Sequence, residues 1–260
     1  MYNLVGQGLL LVLGFVTVKY VFTRLGADAL GIIYFTTTLT AVLSGVLEMG
    51  ICSTVVREVS AYFQKDPIYI RNLIRTSSLF YWSAYIFLAI SIYLVAPFMV
   101  KKWIHLKTID AITAIQVLQI LGIAAVVGLP RSLYASLFRG LQRMEFNNLI
   151  DVGTTGVYQL GIILILLMGG SLLHIASWFA VSFGLSGLVY LILSAHFFSW
   201  KAIIPGYTPE VFKRNIRYSW NMMSISILVA IQFQADKLIL SKLLPLGTFG
   251  YYSYAYGVVT

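Results

Sequence analysis

Six polar side chains sit inside or at the ends of long apolar runs: Glu48, Gln116, Gln119, Arg131, Asp151 and Asp236. An ionisable group at the centre of a bilayer costs at least about 2.5 kcal/mol on insertion scales, so each needs an interior partner or a water-filled cavity. Thr37, Thr40, Ser44, Glu48 and Cys52 recur at intervals of three and four and share one helical stripe. Two readings stand for that stripe. It is either the polar wall of a transport cavity with Glu48 as its charge, or a close-packed seam whose hydroxyls bond back to their own helix. Gln116 and Gln119 precede the pair Pro130-Arg131. Proline removes a backbone donor and bends the helix, and Arg131 then either faces a cavity and holds an anion or snorkels to the interface. Asp151 shares a face with Thr155 and Tyr158. Near an expected helix start at residue 149 its simplest role is to favour the positive helix end. Asp236 lines up with Asn221 and Gln232, looking into a bundle. Neighbouring Lys237 points about 100° away, so the two are not expected to pair.

The elements that must position these groups follow from composition. The chain has 260 residues, 59% hydrophobic and 10% charged, with a mean hydropathy of +0.87. Soluble domains carry roughly 25% charged residues. The apolar runs are long enough to cross a hydrocarbon layer of about 30 Å at 1.5 Å per residue. An all-α, polytopic transmembrane bundle is expected, with spans near 4–23, 30–56, 77–100, 111–138, 149–169, 172–199 and 218–243 and an eighth opening near Phe249. The first run lacks a basic leader and a small-residue cleavage site, so it reads as a span. The net charge of +9 is mostly topology. Alternating the sides puts ten basic residues in the connections 57–75, 139–148 and 200–217 and seven on the other face, which predicts a cytoplasmic N-terminus.

An internal echo gives the organisation. "RLGADALGIIYFTTTLT" joins the first span to the second and "LLPLGTFGYYSYAYGVV" the seventh to the eighth; aligning Gly31 with Gly250 pairs Leu30 with Phe249. The offset covers six spans, an even number, so both copies share one orientation, as in a parallel repeat. Residues 1–217 are then a six-helix bundle and 218–260 the opening of a second. Thr260 falls early in a span, which predicts more chain beyond it.

Several chemistries find no support in the sequence. Cys52 stands alone, so no intrachain disulfide or cysteine metal cluster is expected, and His105, His174 and His196 lack ligand spacing. No phosphate loop, nucleophile elbow or acid pair marks an enzyme, no cofactor is implied, and no soluble segment is long enough to read nucleic acid.

Four stretches, "RLGADALGIIYF", "LEMGICSTVVREVS", "LFRGLQRMEFNN" and "ADKLILSKLLPLGTFGYYSYAY", resemble in their order and spacing the Wzx-type O-antigen and polysaccharide flippases. That polysaccharide transporter family lies in the multidrug/oligosaccharidyl-lipid/polysaccharide exporter superfamily. The resemblance covers most of this chain and the N-terminal half or so of such a protein. Members often carry Asp where this chain has Glu48. The resemblance implies a MATE-like exporter fold of twelve or more helices around a cavity that opens alternately to each side. The implied substrate is an undecaprenyl-pyrophosphate-linked oligosaccharide, carried across the bacterial inner membrane with its tail in membrane lipid. Arg131, Arg57 and Arg139 are then the candidates for pyrophosphate or sugar contacts, since a guanidinium donates two parallel hydrogen bonds to phosphate. Gln116 and Gln119 join them on the cavity wall. Glu48, Asp236 and Asp151 are candidates for a coupling proton or sodium ion. The alternatives are a cation-coupled multidrug exporter or peptidoglycan-precursor flippase of the same superfamily, and, from another class, a membrane glycosyltransferase or polymerase.

Overall fold

The computed structural model describes residues 2–47 and 50–259, and among them it contains helices and connections but no strand. In chain order the helices are α1 (Tyr2–Leu25), α2 (Ala27–Leu47), α3 (Ile51–Tyr62), α4 (Pro67–Lys102), α5 (Ala111–Val126), α6 (Gly128–Gly140), α7 (Met144–Leu167), α8 (Leu172–Phe198), α9 (Trp200–Ile203), α10 (Pro209–Leu243) and α11 (Leu246–Val259). Among the described residues five stretches are long and apolar enough to cross a membrane: α4, α5 continued by α6, α7, α8 and α10; α2 adds the shorter apolar segment Ala27–Leu43. The chain is an all-α, multi-pass membrane protein.

Two expected spans are broken. The run at 30–56 divides into α2 and α3 at Gly50, whose φ of 60° is left-handed. A side chain there would be strained, and its Cβ would also meet the Ser219 carbonyl and stand 2.5 Å from Met222 Cβ. The run at 111–138 divides at Val127, placing Pro130 in the first turn of α6, where a missing N–H does little harm.

Other helices overrun the expected span ends. α4 has 36 residues and α10 has 35, so each is longer than about 50 Å and outreaches a 30 Å layer. Their first turns occupy stretches that hydropathy alone reads as connections. Pro67 opens α4 at a position that needs no N–H, and Asp66 Oδ1 accepts the Tyr69 N–H at 2.9 Å. α7 likewise begins at Met144, five residues before the expected start, so Asp151 lies two turns inside the helix. That removes the helix-end role expected for it.

A second proline sets a local requirement. Pro97 sits inside α4, and its ring nitrogen cannot serve the carbonyl four residues back, that of Tyr93. Gln119 on α5 supplies the donor instead, Nε2 to Tyr93 O at 3.0 Å.

The core falls into two clusters. One gathers Val55, Val59, Ile70, Ile74, Leu133 and Phe138 from α3, α4 and α6; the other gathers Ile32, Phe35, Leu118, Ile175 and Phe249 from α2, α5, α8 and α11. In the second cluster α11 packs chiefly along α2, where small residues let the backbones approach. A Cβ on Gly250 would stand 2.9 Å from Gly31 N, and one on Gly31 would overlap the Leu246 carbonyl. Beside this seam Asp28, 3% exposed, accepts the N–H groups of Lys107 at 2.8 Å and Thr108 at 2.7 Å, fastening the α4–α5 connection to the start of α2.

Candidate functional site: a basic pocket between three helices

The candidate site is a pocket of about 360 Å³ whose walls come from α6, α7 and α8. On α6, Arg131, Ala135 and Arg139 recur every four residues and form one stripe, while Leu133, Tyr134 and Leu137 on the other faces are buried in the core. On α7, Met144, Asn147, Asn148 and Asp151 recur at three- and four-residue steps and face that stripe. Tyr190 closes the pocket from α8.

The polar groups engage one another without exhausting their capacity. Arg131 Nη2 donates to Asp151 Oδ1, and the Tyr190 hydroxyl donates to the same oxygen at 3.1 Å. The guanidinium carbon of Arg131 lies 5.4 Å from the Tyr190 ring centroid and 5.7 Å from that of Phe183, within cation–π range. Asn147 Nδ2 donates to Ala135 O at 3.0 Å. Arg131 Nε and Asn147 Oδ1 are buried and have no partner among the described residues. Two guanidiniums against one carboxylate leave the pocket with a net positive charge. Such a pocket suits a solute that presents both negative charge and hydroxyl groups.

The pocket therefore unites three of the residues singled out in the sequence, Arg131, Arg139 and Asp151. The others go elsewhere. Arg57 lies on α3, where Nη2 stands 2.6 Å from Glu58 Oε1 and 3.3 Å from Asn215 Oδ1, and its guanidinium covers the Tyr218 ring at 3.8 Å. Gln116 is exposed on α5, and Gln119 serves the Tyr93 carbonyl, so neither lines the pocket. Asp236 accepts the Tyr252 hydroxyl at 2.5 Å, while Lys237 sits 4.1 Å from the Tyr256 ring centroid; both neighbours reach α11, by different partners. Glu48 lies outside the described residues, as does the side chain of Ser44. Of the stripe that leads to them, Thr37 and Thr40 bond back to Tyr34 O and Thr36 O. Thr37 also borders a mainly apolar cavity of about 330 Å³ with Thr17, Tyr158 and Gln159.

Sequence reasoning passed over Glu58, Tyr69, Asn147, Tyr190, Arg214 and Asn215. For Glu58 a signal was present. Cys52, Val55 and Val59 continue an amphipathic helix past the apolar run, which puts a carboxylate on the buried face. Asn147 and Tyr190 carry no such signal, because their value comes from where three helices meet.

The profile of a family described as polysaccharide biosynthesis protein matches residues 1–260. No curated protein and no solved structure matches the chain.

Proposed function

Because the chain belongs to the polysaccharide biosynthesis protein family, we propose that it carries a lipid-linked oligosaccharide across a bacterial inner membrane by alternating access. The cargo in this reading is a saccharide repeat unit on undecaprenyl pyrophosphate, destined for O-antigen, capsule or exopolysaccharide. Its head group cannot enter hydrocarbon unaided, whereas its tail stays there. A protein that moves it needs a polar, cation-bearing recess within the membrane and no bond-making machinery.

The basic pocket at Arg131 is the observation that carries this reading. Arg131 and Arg139 supply charge for phosphate or acidic sugar, and Asn147, Asn148, Ser132 and Tyr190 supply the hydrogen bonds that sugars require. Asp151 holds Arg131 until the cargo competes for it. The helices before α10 would form one bundle and α10 and α11 the start of a second, with a proton or sodium ion taken up at Glu48, Asp236 or Asp151 to drive the cycle. The contact between the echo's aligned glycines, Gly31 and Gly250, supports that division, since equivalent residues of two copies meet where an axis passes between them.

The test is genetic and chemical. Removing the gene depletes surface polysaccharide and leaves lipid-linked repeat units on the cytoplasmic face. Intact surface polysaccharide in the deletion strain contradicts the proposal.

A further inference from the structure

We propose that Glu58 is a clasp that holds α10 against the first bundle, and that the transport cycle requires it to open. The inference rests on reading α10 as the first helix of a moving second bundle.

The geometry is specific. Glu58 is 4% exposed and is the meeting point of three elements. Arg57 Nε donates to its Oε1 at 2.9 Å, the Tyr69 hydroxyl of α4 donates to Oε2 at 2.8 Å, and Arg214 of α10 lies 3.5 Å from Oε2. Asn215, next on α10, donates to the Tyr69 oxygen at 2.8 Å and accepts from Arg57 at 3.3 Å. Arg214 is also stacked 4.2 Å from the Tyr69 ring centroid and 4.8 Å from that of Tyr62. Every one of these contacts except Arg57–Glu58 and Tyr69–Glu58 crosses from the first bundle to α10.

Two features mark this as a contact built to be exchanged. The carboxylate is buried, but the side chains that hold it from outside, Arg57 and Arg214, are 41% and 46% exposed, so water reaches their outer edges. The seam continues inward through another polar contact, Thr54 Oγ1 to Ser219 Oγ at 2.7 Å. Hydrogen bonds of this kind are replaced by water at small net cost when helices part, whereas an apolar seam is not. The seam between α2 and α11 is built differently. There α2 and α11 meet backbone to backbone at Gly31 and Gly250, beside the buried Asp28 carboxylate, which accepts from the Gly247 backbone. A tight backbone seam between α2 and α11 and a polar clasp with partly exposed arginines between α3, α4 and α10 give a pivot and a gate.

The experiment uses the full-length protein with Cys52→Ser. Adding Thr54→Cys and Ser219→Cys allows a disulfide across the seam. Oxidation is expected to stop export of surface polysaccharide and reduction to restore it, with no effect of oxidation on the Cys52→Ser parent. A cross-linked protein that exports as well as the reduced one overturns the proposal. A second readout needs no substrate. With Ser219→Cys alone, Glu58→Gln is expected to raise labelling by a water-soluble thiol reagent roughly tenfold, the effect of a shift of about 1.4 kcal/mol. Arg214→Gln, which leaves the carboxylate its bonds to Arg57 and Tyr69, is expected to do the same. Unchanged labelling in both variants overturns the clasp. Increased labelling in a protein whose deletion leaves polysaccharide intact upholds the clasp and rejects the proposed cargo.

Discussion

Gly250 rests on the backbone of Gly31: a Cβ on Gly250 would stand 2.9 Å from the Gly31 nitrogen and 3.0 Å from its Cα. The same two residues are paired by the sequence echo, and so are Asp28 and Gly247, which also adjoin, since a Cβ on Gly247 would lie 3.4 Å from Asp28 Oδ1. In the proposed two-bundle reading, equivalent residues that touch lie where the axis passes between the bundles. The expected outcome for Gly31→Ala is a loss of about 1–3 kcal/mol, because the atom it strikes is the Leu246 carbonyl, which cannot rotate away. Gly153→Ala is the control; nothing lies within 4 Å of its Cβ, and it is expected to be neutral or stabilising. Thermal unfolding in detergent compares the two.

The Gln119–Tyr93 bond makes a prediction about a pair. Gln119→Leu leaves the Tyr93 carbonyl without a donor and is expected to cost about 1–3 kcal/mol. In a Pro97→Ala background the helix supplies its own N–H, and the same substitution is expected to cost less than half as much. A double-mutant cycle measures the difference. Equal costs in the two backgrounds would show that Gln119 is not answering the proline.

Asp28 fastens the α4–α5 connection through two backbone N–H groups and the Thr108 hydroxyl, at 3.0 Å. Asp28→Ala orphans those donors and is expected to destabilise by about 2–4 kcal/mol, given that each charge-assisted hydrogen bond is worth about 1.5–3 kcal/mol. Hydrogen exchange at Lys107 and Thr108 should accelerate before that of the α5 core. Unchanged protection there contradicts the anchoring role.

Much of the fold was legible, and the parts that were not have one cause. Apolar runs mark the membrane spans because length and hydropathy suffice for that. They do not mark where a helix continues as an amphipathic extension, so α3, α4, α7 and α10 outrun their expected ends and bring Glu58, Tyr69 and Arg214 into contact. Arg131 was legible as a buried charge needing a partner. Its partner, Asp151, reads as a helix-end residue only if α7 starts near residue 149, and the helix starts at Met144 instead. Arg57 was legible as a cation near the membrane but not as one already engaged, since sequence neighbours do not normally face each other and the geometry that lets it meet Glu58 involves Asn215 on a distant helix.

The pocket predicts a graded response to substitution. Arg131→Gln removes the charge and the two-pronged donor, and export of surface polysaccharide is expected to fall at least about tenfold, in line with the roughly 1.5–3 kcal/mol of a charge-assisted hydrogen bond. Arg131→Lys keeps the charge and loses the fork, so its export is expected to lie between the two. Asn148→Ala, on the rim beside it, is expected to reduce export without affecting thermal stability, because Asn148 is half-buried and its loss opens no core cavity. Quantified surface polysaccharide at matched protein levels ranks the series. A Lys variant no better than Gln contradicts a role for charge.

The most direct test of the account is translocation by purified protein. The full-length chain is reconstituted in vesicles that carry a polyprenyl-diphosphate-linked oligosaccharide in the inner leaflet, and a glycosidase added outside reports the sugar's arrival. The account predicts protein-dependent cleavage that Arg131→Gln sharply slows. Cleavage at the same rate in protein-free vesicles, or an Arg131→Gln protein as fast as the parent, would contradict it.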